Sequence, residues 1–202
     1  MKESQAVGVR IAIAIFEGAE ELDWVGPFEV FASWAQHWPD DQVEVVTVAE
    51  TESVVRCSKG VQVIPDRTWD TVGPVDVVVY PGGMGTRRQI GDEGVYTRLR
   101  DLAAHTALMT TVCTGSLVYA GAGLLDGLPA TTHWASLDRL AALGTDIEVR
   151  PDDRFVDAGP IVTAAGVSAG IDMALYLVAR LHSTERAQQV RRVIQYDPAP
   201  PV

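Results

Sequence analysis

The fold is predicted from one segment around Cys113, which reads Ala107-Leu-Met-Thr-Thr-Val-Cys113-Thr-Gly-Ser-Leu-Val-Tyr-Ala-Gly-Ala-Gly-Leu-Leu125. An apolar, partly β-branched run reaches a cysteine, a glycine follows two residues later, and a small apolar segment comes next. This pattern predicts a strand, a sharp turn and a helix, with the Cys113 thiol at the bend. Such a nucleophile elbow holds its side chain out of the sheet in a strained backbone conformation. The following helix N-terminus is expected to favour the thiolate form of Cys113.

Other strand-like and helix-like segments alternate along the chain. Buried strands are predicted at Val9–Phe16, Val43–Ala49 and Val75–Tyr80, and an acidic loop is predicted to lead into a helix over Pro27–His37. Strands that alternate with helices indicate an α/β fold with one doubly wound, mainly parallel sheet. No repeat or linker interrupts the pattern, so we expect a single domain over residues 1–202.

Composition narrows the function classes. The chain has 202 residues, of which 47% are hydrophobic, and 16 basic against 27 acidic residues give a net charge of −11. This charge argues against binding to nucleic acid or to an anionic membrane, because both need a basic surface. The first seven residues lack a signal-peptide apolar run, and no apolar segment is long enough to span a bilayer. We therefore expect a cytoplasmic protein, with no disulfide between Cys57 and Cys113.

Three of the candidate residues follow predicted strands. Ligands of parallel sheets bind beyond the carboxyl ends of the strands, so Asp23, Gly83 and Cys113 are expected at one edge. Cys113 is the candidate nucleophile. A carboxylic acid held beside it in an apolar pocket has a raised pKa and can move a proton. Spacing alone does not choose between the four acids of the first loop, which are Glu17, Glu20, Glu21 and Asp23.

The remaining candidates have a structural and a chemical interpretation. Gly82-Gly83 is either a tight turn or, through the N–H groups of Gly83 and Thr114, a pair of donors for negative charge. His133 is either structural or the base of a Cys/His pair. Cys57 is expected to be a small, half-buried residue. Four scattered histidines, with no CxxC or HExxH motif, argue against a metal site.

Taken together, these residues resemble the ThiJ/PfpI superfamily, whose fold is similar to that of class I glutamine amidotransferases. The motifs occur in the expected order and span most of the chain. They are Leu22-Asp-Trp-Val-Gly-Pro-Phe-Glu-Val-Phe31, Tyr80-Pro-Gly-Gly83, Val112-Cys-Thr-Gly-Ser-Leu117, Gly123-Leu-Leu-Asp-Gly127, Ala130-Thr-Thr-His-Trp134 and Gly166-Val-Ser-Ala-Gly-Ile-Asp172.

The resemblance implies a flavodoxin-like three-layer sandwich with helices on both faces of the sheet, a homodimer and a nucleophilic cysteine. The sequence is most similar to the isocyanide hydratase branch, in which an aspartate in a Leu-Asp-x-x-Gly-Pro context stands beside the cysteine and a threonine follows it. These positions are Asp23 and Thr114 here. The branch's Gly-Ile-Thr segment, which packs near the cysteine, corresponds to Gly166-Val167-Ser168, a conservative departure that implies Val167 and Ser168 line the pocket.

Other branches match less well. Protease-like members carry a histidine directly after the cysteine, and glyoxalase-III or deglycase-like members use a glutamate where Asp23 stands. The sensor halves of AraC-type regulators share many motifs but continue into a helix-turn-helix module, for which no room is expected in a chain that ends at Val202.

The resemblance therefore implies a cofactor-independent enzyme that acts on a small molecule. The Cys113 thiolate would attack the terminal carbon of an isocyanide, Asp23 would handle the proton, and water would release an N-substituted formamide from the thioimidate. Two alternatives stay open. One is a non-catalytic small-molecule or redox sensor, and the other is a glyoxalase, deglycase or amidase-like activity on carbonyl compounds.

Overall fold

The structure is a computed structural model that describes residues 8–199. Residues 1–7, on which the expectation of no signal peptide rests, and residues 200–202 lie outside that range. A seven-stranded sheet forms the centre, with the spatial order β10 (Phe155–Asp157), β11 (Ile161–Ala164), β7 (Leu108–Val112), β6 (Val77–Tyr80), β1 (Val9–Ala14), β2 (Val43–Ala49) and β5 (Arg67–Thr68). Two short pairs lie apart from it, namely β3 (Val55–Arg56) with β4 (Gln62–Val63), and β8 (Pro129–Ala130) with β9 (Glu148–Val149).

Within the central sheet, β10 is antiparallel to β11 and every other pairing is parallel. Helices cover both faces: α1 (Glu21–His37), α2 (Thr86–Gln89), α3 (Glu93–His105), α4 (Gly115–Gly121), α5 (Leu137–Leu143), α6 (Ala169–Leu181) and α7 (Thr184–Val193). The flavodoxin-like three-layer architecture predicted from the sequence is thereby confirmed.

The alternation of side chains in the central strands divides the core into two layers. In β1, Ile11 and Ile13 pack with Phe31 of α1 on one face, whereas Ala12 and Ala14 face the other. Successive residues of a strand point to opposite faces, so a strand buried on both sides must be apolar throughout. The first layer also contains buried residues of α6 and α7, and the second contains buried residues of α3, α4 and α5.

The start of α1 differs from the sequence-based expectation. The helix begins at Glu21 and contains Pro27 in its interior, so the segment expected to be an acidic loop supplies its first turn. Acidic residues suggested a loop, yet carboxylates are also what a helix N-terminus favours, and Glu21 and Asp23 lie in the first turn. Pro27 has no N–H to donate to the carbonyl one turn earlier, and the helix continues through that gap. As a result Asp23 is held on a rigid element.

The β3–β4 hairpin packs against the beginning of α1. Its turn passes through Ser58, Lys59 and Gly60, and Gly60 has φ +100°. Cys57, expected to be half-buried, is buried, because the hairpin seals it beside Trp24; burial raises the pKa of its thiol. Within residues 8–199, no helix combines the length and the apolar character needed to cross a membrane.

Candidate active site

Cys113 occupies the elbow between β7 and α4, with φ +56°. A non-glycine residue in this left-handed region is strained and persists only where its surroundings hold it. Here the Cys113 N–H donates to the Ala165 carbonyl at 2.9 Å. The Cys113 carbonyl in turn accepts hydrogen bonds from the Thr132 hydroxyl at 2.8 Å and the Ser116 hydroxyl at 3.0 Å. Polar contacts to both the N–H and the carbonyl of Cys113 thus fix the strained elbow.

Two glycines allow the neighbouring segments to approach the elbow closely. A Cβ atom on Gly115 would lie 2.5 Å from the Tyr80 carbonyl oxygen, at the end of β6. A Cβ atom on Gly82 would lie 2.5 Å from the Thr114 nitrogen and 2.9 Å from Asp23 Oδ2. Distances this short exclude any side chain, so both positions require glycine for close packing around Cys113.

Asp23 is the acid that the fold places beside the thiol. Its side chain is fully buried, and Oδ2 accepts a hydrogen bond from the Gly82 N–H at 2.9 Å. Among the described residues Oδ1 has no partner of good hydrogen-bond geometry, although the thiol of Cys113 interacts with the carboxyl group. Burial raises the pKa of Asp23 from 3.8 to about 7, against the opposing effect of the Gly82 N–H.

The other three acids of this region face different groups. The Glu17 carboxylate accepts the Arg56 N–H at 2.9 Å, and the Glu21 carboxylate accepts the Lys59 N–H at 2.7 Å. Glu20 forms an ion pair with the Lys59 side chain. The structure therefore separates Asp23 from its neighbours, a distinction that spacing in the sequence could not make.

The helix N-terminus is expected to favour the Cys113 thiolate, whereas the burial of Cys113 acts against that form. Burial, and after it the adjacent charge of Asp23, raise the pKa of the Cys113 thiol to about 12. The helix that follows is the seven-residue α4, and the N–H groups near the sulfur offset only part of the cost of burial. At neutral pH the pair consequently holds a protonated thiol beside a carboxyl group that is close to half-ionised.

The N–H groups of Gly83 and Thr114, predicted as a pair of donors for negative charge on a substrate, have different partners in the structure. The Gly83 N–H donates to Thr114 Oγ1 at 3.0 Å and is thus occupied. Backbone hydrogen bonds from Thr114 and Val167, together with the Thr114 hydroxyl, lower the pKa of Cys113. Val167 has φ +45°, which is a strained conformation for a β-branched residue. Sequence reasoning placed Val167 near the cysteine but missed its N–H, because backbone φ leaves no signal in the residue type.

His133 and Ser168 lie on different sides of Val167. His133 lines the same cavity as Cys113, and its Nδ1 accepts the Ala135 N–H at 3.2 Å, so it caps the short helical turn Trp134–Ser136. The hydroxyl of Ser168, by contrast, is 3.4 Å from a nitrogen of Arg154 and lines a neighbouring cavity. Val167 and Ser168 are both predicted to line the pocket of Cys113. Val167 does so, whereas Ser168 lines the neighbouring cavity with Arg154.

The cavity above Cys113 has a volume of about 270 Å³. Among the described residues, no group of three or more His, Cys, Asp or Glu side chains is arranged to hold a metal ion.

Glu20, Met84 and Arg87 form part of the wall of the cavity above Cys113. The sequence does not predict Met84 or Arg87 in the site, since neither belongs to a chemical motif. The complete lining is Glu20, Gly83, Met84, Arg87, Cys113, Thr114, His133, Ala135, Ser136 and Val167.

Comparisons with known proteins agree with this architecture. Residues 9–180 match the model of the DJ-1/PfpI family. The chain is 40% identical over 195 residues to isonitrile hydratase of Pseudomonas putida, covering 96% of this chain and 82% of that protein. It is 33% identical over 149 residues to the HTH-type transcriptional regulator GbdR of Pseudomonas aeruginosa, of which the match covers only 38%. A crystal structure of a ThiJ/PfpI family protein from Pseudomonas syringae superimposes with a TM-score of 0.87 at 32% identity, covering all of this chain and 80% of that one. This chain therefore belongs to the DJ-1/PfpI family.

Proposed function

We propose that this protein hydrates an isocyanide to an N-substituted formamide through a thioimidate on Cys113. The observation that carries the proposal is the buried Asp23–Cys113 pair, in which a carboxyl group with a pKa of about 7 lies beside a protonated thiol. A group that titrates near the working pH can both accept and return a proton. The 40% identity to a protein named isonitrile hydratase supports the same chemistry.

The first half of the reaction moves one proton from sulfur to carbon. Ionised Asp23 accepts the thiol proton while Cys113 Sγ forms a bond to the terminal carbon of the isocyanide. Asp23 then gives that proton to the same carbon, which leaves a thioimidate with a C–S single bond and a C=N double bond. Because the acceptor is adjacent and preorganised, the buried thiol never has to exist as a free thiolate.

The second half adds water. Water attacks the thioimidate carbon, the C–S bond breaks, one proton reaches nitrogen and one returns to sulfur, so that an N-substituted formamide leaves and the thiol is regenerated. Negative charge on the departing sulfur would be stabilised by the N–H groups of Thr114 and Val167. The proposed roles are therefore nucleophile for Cys113, proton carrier for Asp23, and charge stabilisation for Thr114 and Val167, with His133 and Gly83 as cavity walls.

A second candidate is a small-molecule or redox sensor without turnover. The 33% identity to a transcriptional regulator over 71% of this chain favours it, because the shared segment contains the cysteine elbow of the fold. Mild peroxide followed by mass spectrometry of Cys113 and Cys57 tests the redox version. Selective, reversible oxidation of Cys113 without isocyanide turnover would support the sensor.

The homodimer remains a prediction of the family resemblance, and the cytoplasmic location remains a prediction of the sequence. Leu22 and Val25 on α1 and Val61 and Ile64 beside the β3–β4 hairpin are exposed apolar side chains, and a homodimer interface would cover such a surface. Light scattering on the purified protein measures the oligomeric state directly.

The experiment that tests the proposed function is a side-by-side assay of p-nitrophenyl isocyanide and methylglyoxal with one enzyme preparation. We expect the formamide from the isocyanide, loss of that activity in Cys113→Ala, and retention in Cys57→Ser. Turnover of methylglyoxal alone would instead assign the protein to the carbonyl-directed branch.

A further inference from the structure

A second charged pair lies next to the Asp23–Cys113 pair. Glu20 immediately precedes α1, lines the cavity of Cys113 and keeps 16% of its side chain exposed. Lys59, at the turn of the β3–β4 hairpin, contacts Glu20 Oε1 through its ammonium group. The carboxylate at the cavity wall is therefore neutralised from another segment of the chain.

The hairpin holds Lys59 in this place by several independent contacts. The Ser58 N–H donates to the Ala19 carbonyl at 2.8 Å, and the Ser58 hydroxyl donates to the Gly18 carbonyl at 2.6 Å. The Lys59 N–H donates to Glu21 at 2.7 Å. Three contacts on consecutive residues fix the turn against the segment that leads to Asp23, so the position of the ammonium group is built into the fold.

We propose that Lys59 is a positioning residue for the Asp23–Cys113 pair, which it serves by neutralising the Glu20 carboxylate at the cavity wall. The role of Asp23 in this inference rests on the proposed function. An uncompensated Glu20 would disfavour ionised Asp23, because like charges in a poorly solvated site repel. In agreement, the charge of Glu20 raises the pKa of Asp23, whereas the charge of Lys59 lowers it.

Other charged or titratable groups surround the Glu20–Lys59 pair, and substitution of Lys59 or Glu20 leaves them in place. Three of them are carboxylates with partners of their own. Glu17 accepts the Arg56 N–H, Glu21 accepts the Lys59 N–H, and Asp172 of α6, which packs against α1, pairs with Arg154. The backbone contact to Glu21 survives any substitution of the Lys59 side chain. The remaining groups are Cys57 on the hairpin, Arg87 on α2 and His133 at the cavity wall.

The test follows the alkylation of Cys113 by iodoacetamide as a function of pH, with the Cys113 peptide resolved by mass spectrometry. This measurement uses no isocyanide. Ionisation of Asp23 is expected to give an inflection near pH 7. Lys59→Met should move that inflection upward, and Glu20→Gln should move it downward, each by roughly 0.3–0.5 pH units, the size expected for one charge acting through a high effective dielectric. Lys59→Arg should restore the original value.

The double variant sharpens the test. Because Glu20 affects the pKa of Asp23 more than Lys59 does, Lys59→Met combined with Glu20→Gln should give an inflection between the wild-type value and that of Glu20→Gln alone. The matched control is Arg56→Met, which removes one positive charge from the same hairpin without touching Glu20. An unchanged inflection in Lys59→Met, or an equal shift in Arg56→Met, would overturn the proposal.

The outcome is separable from that of the proposed function. If the inflections move in the predicted order but wild-type protein converts no isocyanide, the positioning role of Lys59 stands and the hydratase assignment fails. If isocyanide is converted while Lys59→Met leaves the inflection in place, the hydratase assignment stands and the role of Lys59 is wrong.

Discussion

The Gly82 N–H donates a hydrogen bond to Asp23 Oδ2 at 2.9 Å, and this contact orients a fully buried carboxyl group beside Cys113. Close approach is possible because residue 82 has no side chain. Burial still dominates over this one hydrogen bond, so the pKa of Asp23 is raised to about 7. The relationship gives Asp23 a proton that it can exchange near neutral pH.

This raised pKa predicts a cost in stability that Asp23→Asn removes. Below about pH 4 Asp23 is protonated in both states, but above it the unfolded chain releases the proton while the folded chain retains it until about pH 7. Wild-type stability is therefore lost progressively across that window and stays low above it. We expect the free energy of unfolding of Asp23→Asn, relative to that of wild type, to increase by on the order of 3 kcal/mol when the pH is raised from 4 to 7.5. Urea unfolding at both pH values measures this, and a pH-independent difference would contradict it.

The same pair predicts the pH dependence of isocyanide hydration. The reactive form holds one proton between Asp23 and Cys113, because the doubly protonated pair has no acceptor for the thiol proton. We expect kcat/KM to rise about tenfold per pH unit below pH 7 and to level off above it. Initial rates over pH 5.5–9 check this, and a kcat/KM that falls through pH 7 would exclude ionised Asp23 as the acceptor.

Thr114→Val removes the hydroxyl group of Thr114 and keeps the shape of its side chain. Valine is nearly isosteric but leaves the Gly83 N–H without the Oγ1 acceptor that it has at 3.0 Å. An unsatisfied buried N–H costs about 1–3 kcal/mol. We expect kcat/KM to fall roughly 10- to 100-fold, with Thr114→Ser restoring most of it. Wild-type kcat/KM in Thr114→Val would show that the site does not need the hydroxyl, and an equal loss in Thr114→Ser would show that the hydroxyl alone is not sufficient.

Gly82→Ala tests whether close packing sets the geometry of the site. The added methyl group would lie 2.5 Å from the Thr114 nitrogen, a backbone atom that cannot move away. We expect a loss of about 1–3 kcal/mol of stability from overpacking, together with a large loss of turnover. Gly94→Ala in α3 is the matched control, since its nearest contact is the Asp92 carboxylate at 3.2 Å. Unchanged turnover in Gly82→Ala would contradict the account.

The sequence predicts the sheet, the elbow and the convergence of Asp23, Gly83 and Cys113 at one edge, because strand burial and the glycine two residues after Cys113 are local signals. It does not predict the helical start of α1, where acidic residues fit either a loop or a helix N-terminus. The selection of Asp23 from four acids also depends on the fold, since only burial against Gly82 and Cys113 distinguishes it.

Two further features depend on backbone geometry. Val167 adopts φ +45° and turns its N–H toward the sulfur, while Ser168 is directed to Arg154. Neither residue type indicates this arrangement. The protonated resting state of Cys113 likewise follows from burial, which the position of a thiol before a helix does not reveal.

Hydration through a thioimidate requires that the isocyanide carbon becomes bonded to Cys113 during turnover. The most direct measurement is rapid acid quenching during hydration of p-nitrophenyl isocyanide, followed by peptide-resolved mass spectrometry of the wild-type protein. We predict a mass increase equal to one isocyanide on the Cys113 peptide, none on Cys57, and appearance of the formamide as the adduct decays. Formamide produced at the wild-type rate by Cys113→Ala would contradict the account.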